Sequence, residues 1–558
     1  MLSGLKEQLQ TAIAASLKEF FPNEKDVPSV ELDAPGDKSH GDLATNIALK
    51  SAKVIKKPPM VIAEEFCRAI RGGLNQEPLA GKIEKIEPKQ PGFINFFFAP
   101  AASYDILEHV LDEQDNYGRS DFGKKTKMQI EFVSANPTGP LSVAHARQAA
   151  VGDALVNILR FLGFDAFKEF YVNDEGNQIN ILGNSICCRA LEELGEKVDF
   201  PEDGYQGDYI RDMAREFLER RKIKDSAALK KIPADEFRQY GVDYLMDVIK
   251  QELDDFGVHF DVWSHQSKLA TPDKIEEVLG FLKEKGFLYE KEGALWFRTT
   301  DLGDDKDRVL RKSDGAYTYF TPDIAYHKNK FSRGFQRVVN IWGPDHHGYI
   351  PRLTAAVQAL GKERDALQVL IVQLATIYRD GKPVHMSTRR GQFISLREVL
   401  DEVGADAARY FFLQRHIKAH LDFDLELAKK ETPENPVYYI QYAHARIHSI
   451  VAKARETGLS PKKHQFRLLK ESEELDVIKK VGYFPDTLRI CHKEMDPFAL
   501  VSYLHELATA FHKFYDCHRV VDPDNAELSM ERLGLIEAVR IVLANGLGLL
   551  GINRPVRM

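Results

Sequence analysis

Four polar stretches stand out in a chain that otherwise reads as ordinary α/β. The first is "EFVSANPTGPLSVAHARQAAVGD", Glu131 to Asp153. It begins like a buried strand, turns through Pro137, Gly139 and Pro140, and enters an alanine-rich helix. Asn136, Thr138, Ser142 and His145 gather at that junction, and open α/β sheets bind ligands at the carboxyl ends of their strands. A capped helix after a core strand would also use Asn136 and Thr138, with no ligand involved.

The second stretch is "DGKPVHMSTRRGQFISLREVL", Asp380 to Leu400. Lys382, Arg389 and Arg390 lie on a short glycine-flanked loop with the hydroxyls of Ser387 and Thr388 between them. Such a loop can fold over a polyphosphate and cancel charge growing in a phosphoryl-type transition state. A solvated basic loop is the plainer alternative. The third, "GPDHHGY" (Gly343 to Tyr349), follows the apolar run "RVVNIW". Its paired histidines lack a third ligand at regular spacing, so contacts to a nucleotide or an amino-acid backbone suit them better than zinc. In the fourth, "GAYTYFTPDIAYH" (Gly315 to His327), Asp323 follows Pro322 at a helix start, where a carboxylate also complements the helix dipole.

The elements that must position these groups follow from length and texture. A chain of 558 residues exceeds one hydrophobic core, so three or four domains are expected. No run reaches the apolar length of a membrane span. The N-terminus carries acids and reads as an amphipathic helix rather than a signal peptide. Five cysteines without a CxxC spacing suggest neither a disulfide framework nor structural zinc, and fit a reducing cytoplasm. A net charge of −8 excludes a protein basic all over but not a local basic face for nucleic acid. Residues 1–115 read as a small α+β unit and 120–380 as α/β with a helical insertion at about 174–256. Residues 381–432 hold the basic loop, and 433–558 are helix-periodic to the end.

Jointly, these stretches resemble the class I aminoacyl-tRNA synthetases, and the arginyl family in particular. "PLSVAH" stands at the HIGH signature and "HMSTR" at KMSKS. "HGDLATNIAL", "PGFINFF", "YVNDEGNQI", "NPVYYIQYAHARI" and "LGLLGINRPVRM" extend the resemblance over essentially the whole chain. It implies a multidomain α/β fold: a Rossmann-type catalytic domain, an α+β N-terminal domain that contacts the tRNA elbow, and an all-α anticodon-binding bundle. It also implies ATP, carried with Mg2+ and no tightly bound metal, L-arginine and tRNA(Arg) as substrates, and a cytoplasmic monomer.

The resemblance assigns roles residue by residue. Ser142, His145, His385, Ser387 and Arg389 would serve catalysis, with Pro137, Thr138, Gly139, Ala144, Met386 and Thr388 around ATP. A guanidinium needs planar, bidentate acceptors. Glu131 and Asp323 match pocket positions of the family, with Tyr319 against the side chain and Asn136 and His347 at the backbone end of arginine. Phe93, Asn95, Tyr442 and Arg446 would meet tRNA, the last two in a helix that interleaves aromatics with His444, Arg446, His448, Lys453 and Arg455, which read as cations for phosphates. The signature departs from the family at Ser142 and Ala144, which normally are histidine and glycine, and His385 and Thr388 replace lysines of KMSKS. A second reading is therefore a relative that binds arginine, nucleotide or tRNA without efficient aminoacylation.

Overall fold

The structure, a computed structural model, describes residues 2–21, 23, 27–33, 35–74, 79–384 and 394–558. Leu5, Leu9, Ile13 and Leu17 recur at four-residue spacing on the first helix, Leu2–Leu17, and make one apolar face. That face packs with the helix Pro59–Leu74 over a three-stranded antiparallel sheet. Its strands are β1 (Leu43–Thr45), β2 (Ile83–Lys89) and β3 (Phe93–Phe98), with β3 in the middle. This first core closes at Ala102. The next helix, Pro100–Glu113, instead sends Ile106, Leu107, Val110 and Leu111 into the large core shared by the rest of the chain.

Five parallel strands follow: β4 (Lys127–Glu131), β5 (Asp165–Val172), β6 (Val262–His265) and, after an excursion, β10 (Arg337–Trp342) and β11 (Leu367–Ile371). Their order is β11-β10-β4-β5-β6. The chain leaves β4 toward β5 on one side and returns to β10 on the other, so the β4–β10 boundary is a topological switch point. Met128 to Glu131 are all buried, as befits a strand covered on both faces.

Two excursions interrupt the sheet. Between β5 and β6, helices at Asn177–Glu193, Asp208–Arg221 and Ala234–Asp255 form their own core around Leu182, Met213 and Phe217. Between β6 and β10 comes an antiparallel sheet of β7 (Leu288–Lys291), β8 (Ala294–Phe297) and β9 (Arg308–Arg311). The strand-like "GALWFRT" thus falls outside the parallel sheet. Glu292 and Gly293 both take positive φ and close β7 onto β8 as a two-residue hairpin.

The apolar run "LQVLIVQLATIY" also divides, into β11 and β12 (Ala375–Arg379); at the break the Gln373 carbonyl accepts from the buried Arg147 at 2.7 Å and the Gln373 N–H donates to the Ile417 carbonyl at 2.8 Å. The strands β12, β13 (Lys382–Pro383) and β14 (Leu421–Asp424) make a separate small sheet. Beyond it the chain is helical, from Pro436–Glu456 to Ala526–Leu549. This bundle shares its core with the parallel sheet. At the seam Arg409 donates to the Leu550 carbonyl and pairs with Asp153, and a side chain on Gly551 would strike its guanidinium.

Candidate active site

The junction after β4 owes its shape to backbone strain. Val133 and Ser134 take φ of 66° and 40°, a left-handed pair that ordinary residues adopt at a cost of roughly 1–3 kcal/mol each. The kink brings the Ser134 hydroxyl to Glu131, donating at 3.0 Å, while it accepts the Tyr171 amide at 3.1 Å. The helix Val143–Phe161 then runs beneath the sheet's end, and Gly152 is required there because a Cβ would sit 2.3 Å from the Phe132 ring.

Ser142 is the N-cap of that helix, and its amide donates to His145 Nδ1 at 3.2 Å. The ring proton therefore resides on Nε2. Loss of water pushes the imidazole down to about 4, so at neutral pH it is an uncharged donor. The same turn is laced to residues beyond the basic loop: Val143 N–H donates to the Ile394 carbonyl at 3.3 Å, and Leu396 N–H to the Leu141 carbonyl at 2.7 Å. Ser142 and Ser395 are consequently bridged. His385, Met386, Ser387, Thr388 and Arg389 lie outside the described residues.

A cavity of about 710 Å3 opens at the switch point, lined by both strand ends and by the helix Phe320–Ser332. Its floor is a directional chain of hydrogen bonds. The ammonium of Lys330, with no exposed surface, donates to Glu131 at 2.5 Å and to Asn340 Oδ1 at 2.9 Å. Asn340 Nδ2 donates to His327 Nε2 at 3.0 Å, and His327 Nδ1–H to the Asp323 carbonyl at 2.8 Å. Burial, then the charge of Lys330, holds His327 well below its usual range, so it too is neutral.

The two pocket carboxylates are therefore not equivalent. Glu131 already has its cation. Among the described residues Asp323 is paired with the Tyr349 hydroxyl, which donates to it, and with no cation. Burial, with the charge of Glu131, pushes its carboxyl up to about 7 despite that bond and Lys330. Around it stand Tyr171 stacked on Tyr326 at 4.4 Å, Trp342 and Tyr349. An aromatic-walled cavity with one unanswered carboxylate is built for an organic cation with a planar or apolar stem.

Of the expected residues, Glu131, Asn136, Ala144, His145, Tyr319 and Asp323 line this cavity. Asn136 is oriented by Gln178 at 2.7 Å, and Tyr319 stands exposed at the mouth. Pro137, Thr138, Gly139 and Ser142 do not line it; Tyr209 of the inserted helices donates to the Thr138 carbonyl at 2.7 Å. His347 is also outside, and His346 takes its place. In the 3₁₀-helix Pro344–Tyr349 and its N-cap, Gly343 to His346 and Tyr349 line the cavity, and His347 and Gly348 do not.

Two tRNA expectations are corrected. Asn95 is 2% exposed on the central strand β3, while Phe93 at the strand's start is exposed. His444 is buried, donates to the Pro555 carbonyl at 2.9 Å, and is pushed down to about 4 by that burial, so it is no phosphate cation. Arg446 is held by Tyr442 at 3.1 Å and Tyr515 at 2.9 Å, and Tyr442 stacks on Tyr438 and His512.

Sequence reading overlooked Lys330, His327, Asn340, Tyr349, Tyr171 and Tyr326. One signal was available: Asp323, His327 and Lys330 stand at i, i+4 and i+7, one face of a helix.

Comparison with known proteins agrees along the full length. Residues 7–98 match the model of the arginyl tRNA synthetase N terminal domain. Residues 106–430 match that of the tRNA synthetases class I (R) catalytic domain, and 440–558 the DALR anticodon binding domain. The chain is 46% identical to arginine–tRNA ligase 1 of Halalkalibacterium halodurans, covering 100% of both chains. It is also 46% identical to the arginine–tRNA ligase of a Geobacter species, over 99% of this chain and 100% of the relative. The fold matches the solved Thermus thermophilus arginyl-tRNA synthetase with a TM-score of 0.75 at 22% identity, covering 99% of this chain and 100% of that one.

Proposed function

The chain belongs to the arginyl-tRNA synthetase family, and from that premise we propose that the switch-point cavity binds and activates arginine. The protein is an arginine–tRNA ligase of class I. In the first step a carboxylate oxygen of arginine attacks the α-phosphorus of ATP and pyrophosphate leaves. In the second, a ribose hydroxyl of the terminal adenosine of tRNA attacks the arginyl carbonyl carbon and AMP leaves.

The observation that carries the arginine assignment is Asp323, a carboxylate walled by aromatics and paired with no cation among the described residues. The substrate guanidinium supplies that cation. Lys330 satisfies Glu131, which therefore acts as a fixed hydrogen-bond acceptor at the floor rather than as a second free charge. Tyr319 covers the side chain from the mouth, and Asn136 holds the backbone end. His145, neutral with Nε2–H available, donates to the α-phosphate as negative charge builds there. Ser142 acts through His145, fixing its tautomer. Ala144 borders the nucleotide, with Pro137, Thr138 and Gly139 along the approach. His385, Met386, Ser387, Thr388 and Arg389 would attend the leaving pyrophosphate. Mg2+ would enter with ATP on its phosphates, as the family resemblance implies.

We further place the protein in the cytoplasm as a monomer; no described helix is long and apolar enough to cross a membrane. Phe93 and the Tyr442–Arg446 face would receive tRNA. Charging of total tRNA with labelled arginine, compared between the natural chain and Asp323→Asn, tests the proposal. A large rise in the arginine KM of the variant is expected. Unchanged arginine kinetics would remove Asp323 from the pocket, and no charging by the natural chain would favour the non-catalytic alternative raised by Ser142 and Ala144.

A further inference from the structure

Beneath the signature turn lies a buried carboxylate that no step above employs. Glu252, on the inserted helix Ala234–Asp255, accepts the Leu141 amide at 2.9 Å. Leu141 is fully buried, and its carbonyl is already taken by Leu396 N–H at 2.7 Å. Three residues along the same helix, Asp255 receives Arg397 at 2.5 Å. One end of the inserted helix therefore grips the turn before His145 and the helix that follows the basic loop. Burial pushes the Glu252 carboxyl up to about 7, against the pull of the Leu141 amide and Arg397 and aided by Asp255. A carboxyl kept in such a place at its own electrostatic cost is a mark of functional positioning.

We infer that Glu252 is a positioning residue for adenylate formation, fixing the Leu141 turn and through it the imidazole of His145. The inference rests on the reading of the cavity as the site of arginine activation. The physical reason is local. The Leu141 N–H precedes the helix and has no intrahelical acceptor, so without Glu252 a buried donor is orphaned and the turn relaxes to satisfy it. His145 stands four residues on, and a shift of about 1 Å in a catalytic group lowers a rate by up to about a hundredfold. Neither Glu252 nor Leu141 lines the cavity, and its carboxylates Glu131 and Asp323 sit on β4 and the helix Phe320–Ser332, so His145 is the point where this device meets the pocket.

The test uses full-length Glu252→Ala, Glu252→Asp and Glu252→Gln in ATP–pyrophosphate exchange with tRNA present, beside direct calorimetric titration with arginine. Alanine and aspartate, which remove the acceptor or withdraw it by one methylene, should lower kcat about ten- to a hundredfold. Their arginine KM and Kd should stay within about twofold of the natural chain. Glutamine, whose Oε1 accepts the same N–H, should recover most of kcat. Should alanine fail to fold, the aspartate and glutamine pair still decides. Natural kcat in the aspartate variant, or glutamine as impaired as aspartate, would overturn the inference. So would arginine affinity lost in step with kcat. If the natural chain itself fails to bind arginine, the reading of the cavity fails instead.

Discussion

Glu131 and Lys330 form an ion pair of 2.5 Å at the floor of the cavity, although 199 positions separate them in the chain. Breaking it and removing Asp323 should therefore have different consequences. Glu131→Gln leaves a buried ammonium unpaired, and such a loss costs about 3–5 kcal/mol. Its melting temperature should fall by several degrees, and Glu131→Gln with Lys330→Met should regain part of that loss. Asp323→Asn should instead lose arginine binding while the fold holds. Its carboxyl ionises near 7 rather than 3.8, so the folded state is penalised above pH 7 and unpenalised near pH 4. Removing that penalty, on the order of a few kcal/mol, should raise stability at pH 8 but not at pH 4. Thermal melts at both pH values check this.

Arginine binding should depend on pH through the same group. The guanidinium binds the ionised Asp323 and draws its pKa down, so below pH 7 a proton must leave as arginine enters. Affinity should be flat above pH 8 and weaken about tenfold between pH 8 and pH 6. Calorimetry in buffers of different ionisation heat should register the released proton, and Asp323→Asn should register none.

His145 is neutral down to about pH 4, so its own titration should leave no step in kcat between pH 6 and 8. His145→Ala should lower kcat for pyrophosphate exchange by roughly 10²–10³, the scale of one preorganised donor. Ser142→Ala removes the helix cap, and loss of an N-cap costs about 1 kcal/mol of stability. Its kcat should fall far less than that of His145→Ala, because the amide that fixes the imidazole tautomer remains.

For tRNA, Arg446→Ala should weaken binding about five- to thirtyfold, since the guanidinium braces Tyr442 and Tyr515 as well as offering charge. Binding should fall as salt rises, with a shallower slope in the variant. Titration of labelled tRNA at two salt concentrations measures both. Point substitution is the right instrument here. Truncation near Asn435 would uncover the core the bundle shares with the sheet and leave Arg409 without the Leu550 carbonyl.

Much of this was legible in local pattern. A strand, a proline–glycine turn and a capped helix from Glu131 to Asp153 follow from residues adjacent in the chain, and so do the helical texture of the insertion and of the final 120 or so residues. The spacing of Asp323, His327 and Lys330 was there to be read as one helix face. The motif resemblance carried the family because it consists of short contiguous words. The break after β11 was not legible, because the partners of the Gln373 backbone there, Arg147 and Ile417, are distant in the chain.

The sequence by itself thus determined the fold class and the family, and it offered Glu131 and Asp323 as candidates for a guanidinium. Tertiary structure alone decided that Glu131 is already paired and Asp323 is the free one, that His346 and not His347 faces the cavity, and that Asn95 and His444 are interior. The division has one physical cause. Caps, periodicity and turn chemistry depend on neighbours in the chain, whereas the charge state and exposure of a side chain depend on whatever the fold brings within a few ångströms of it.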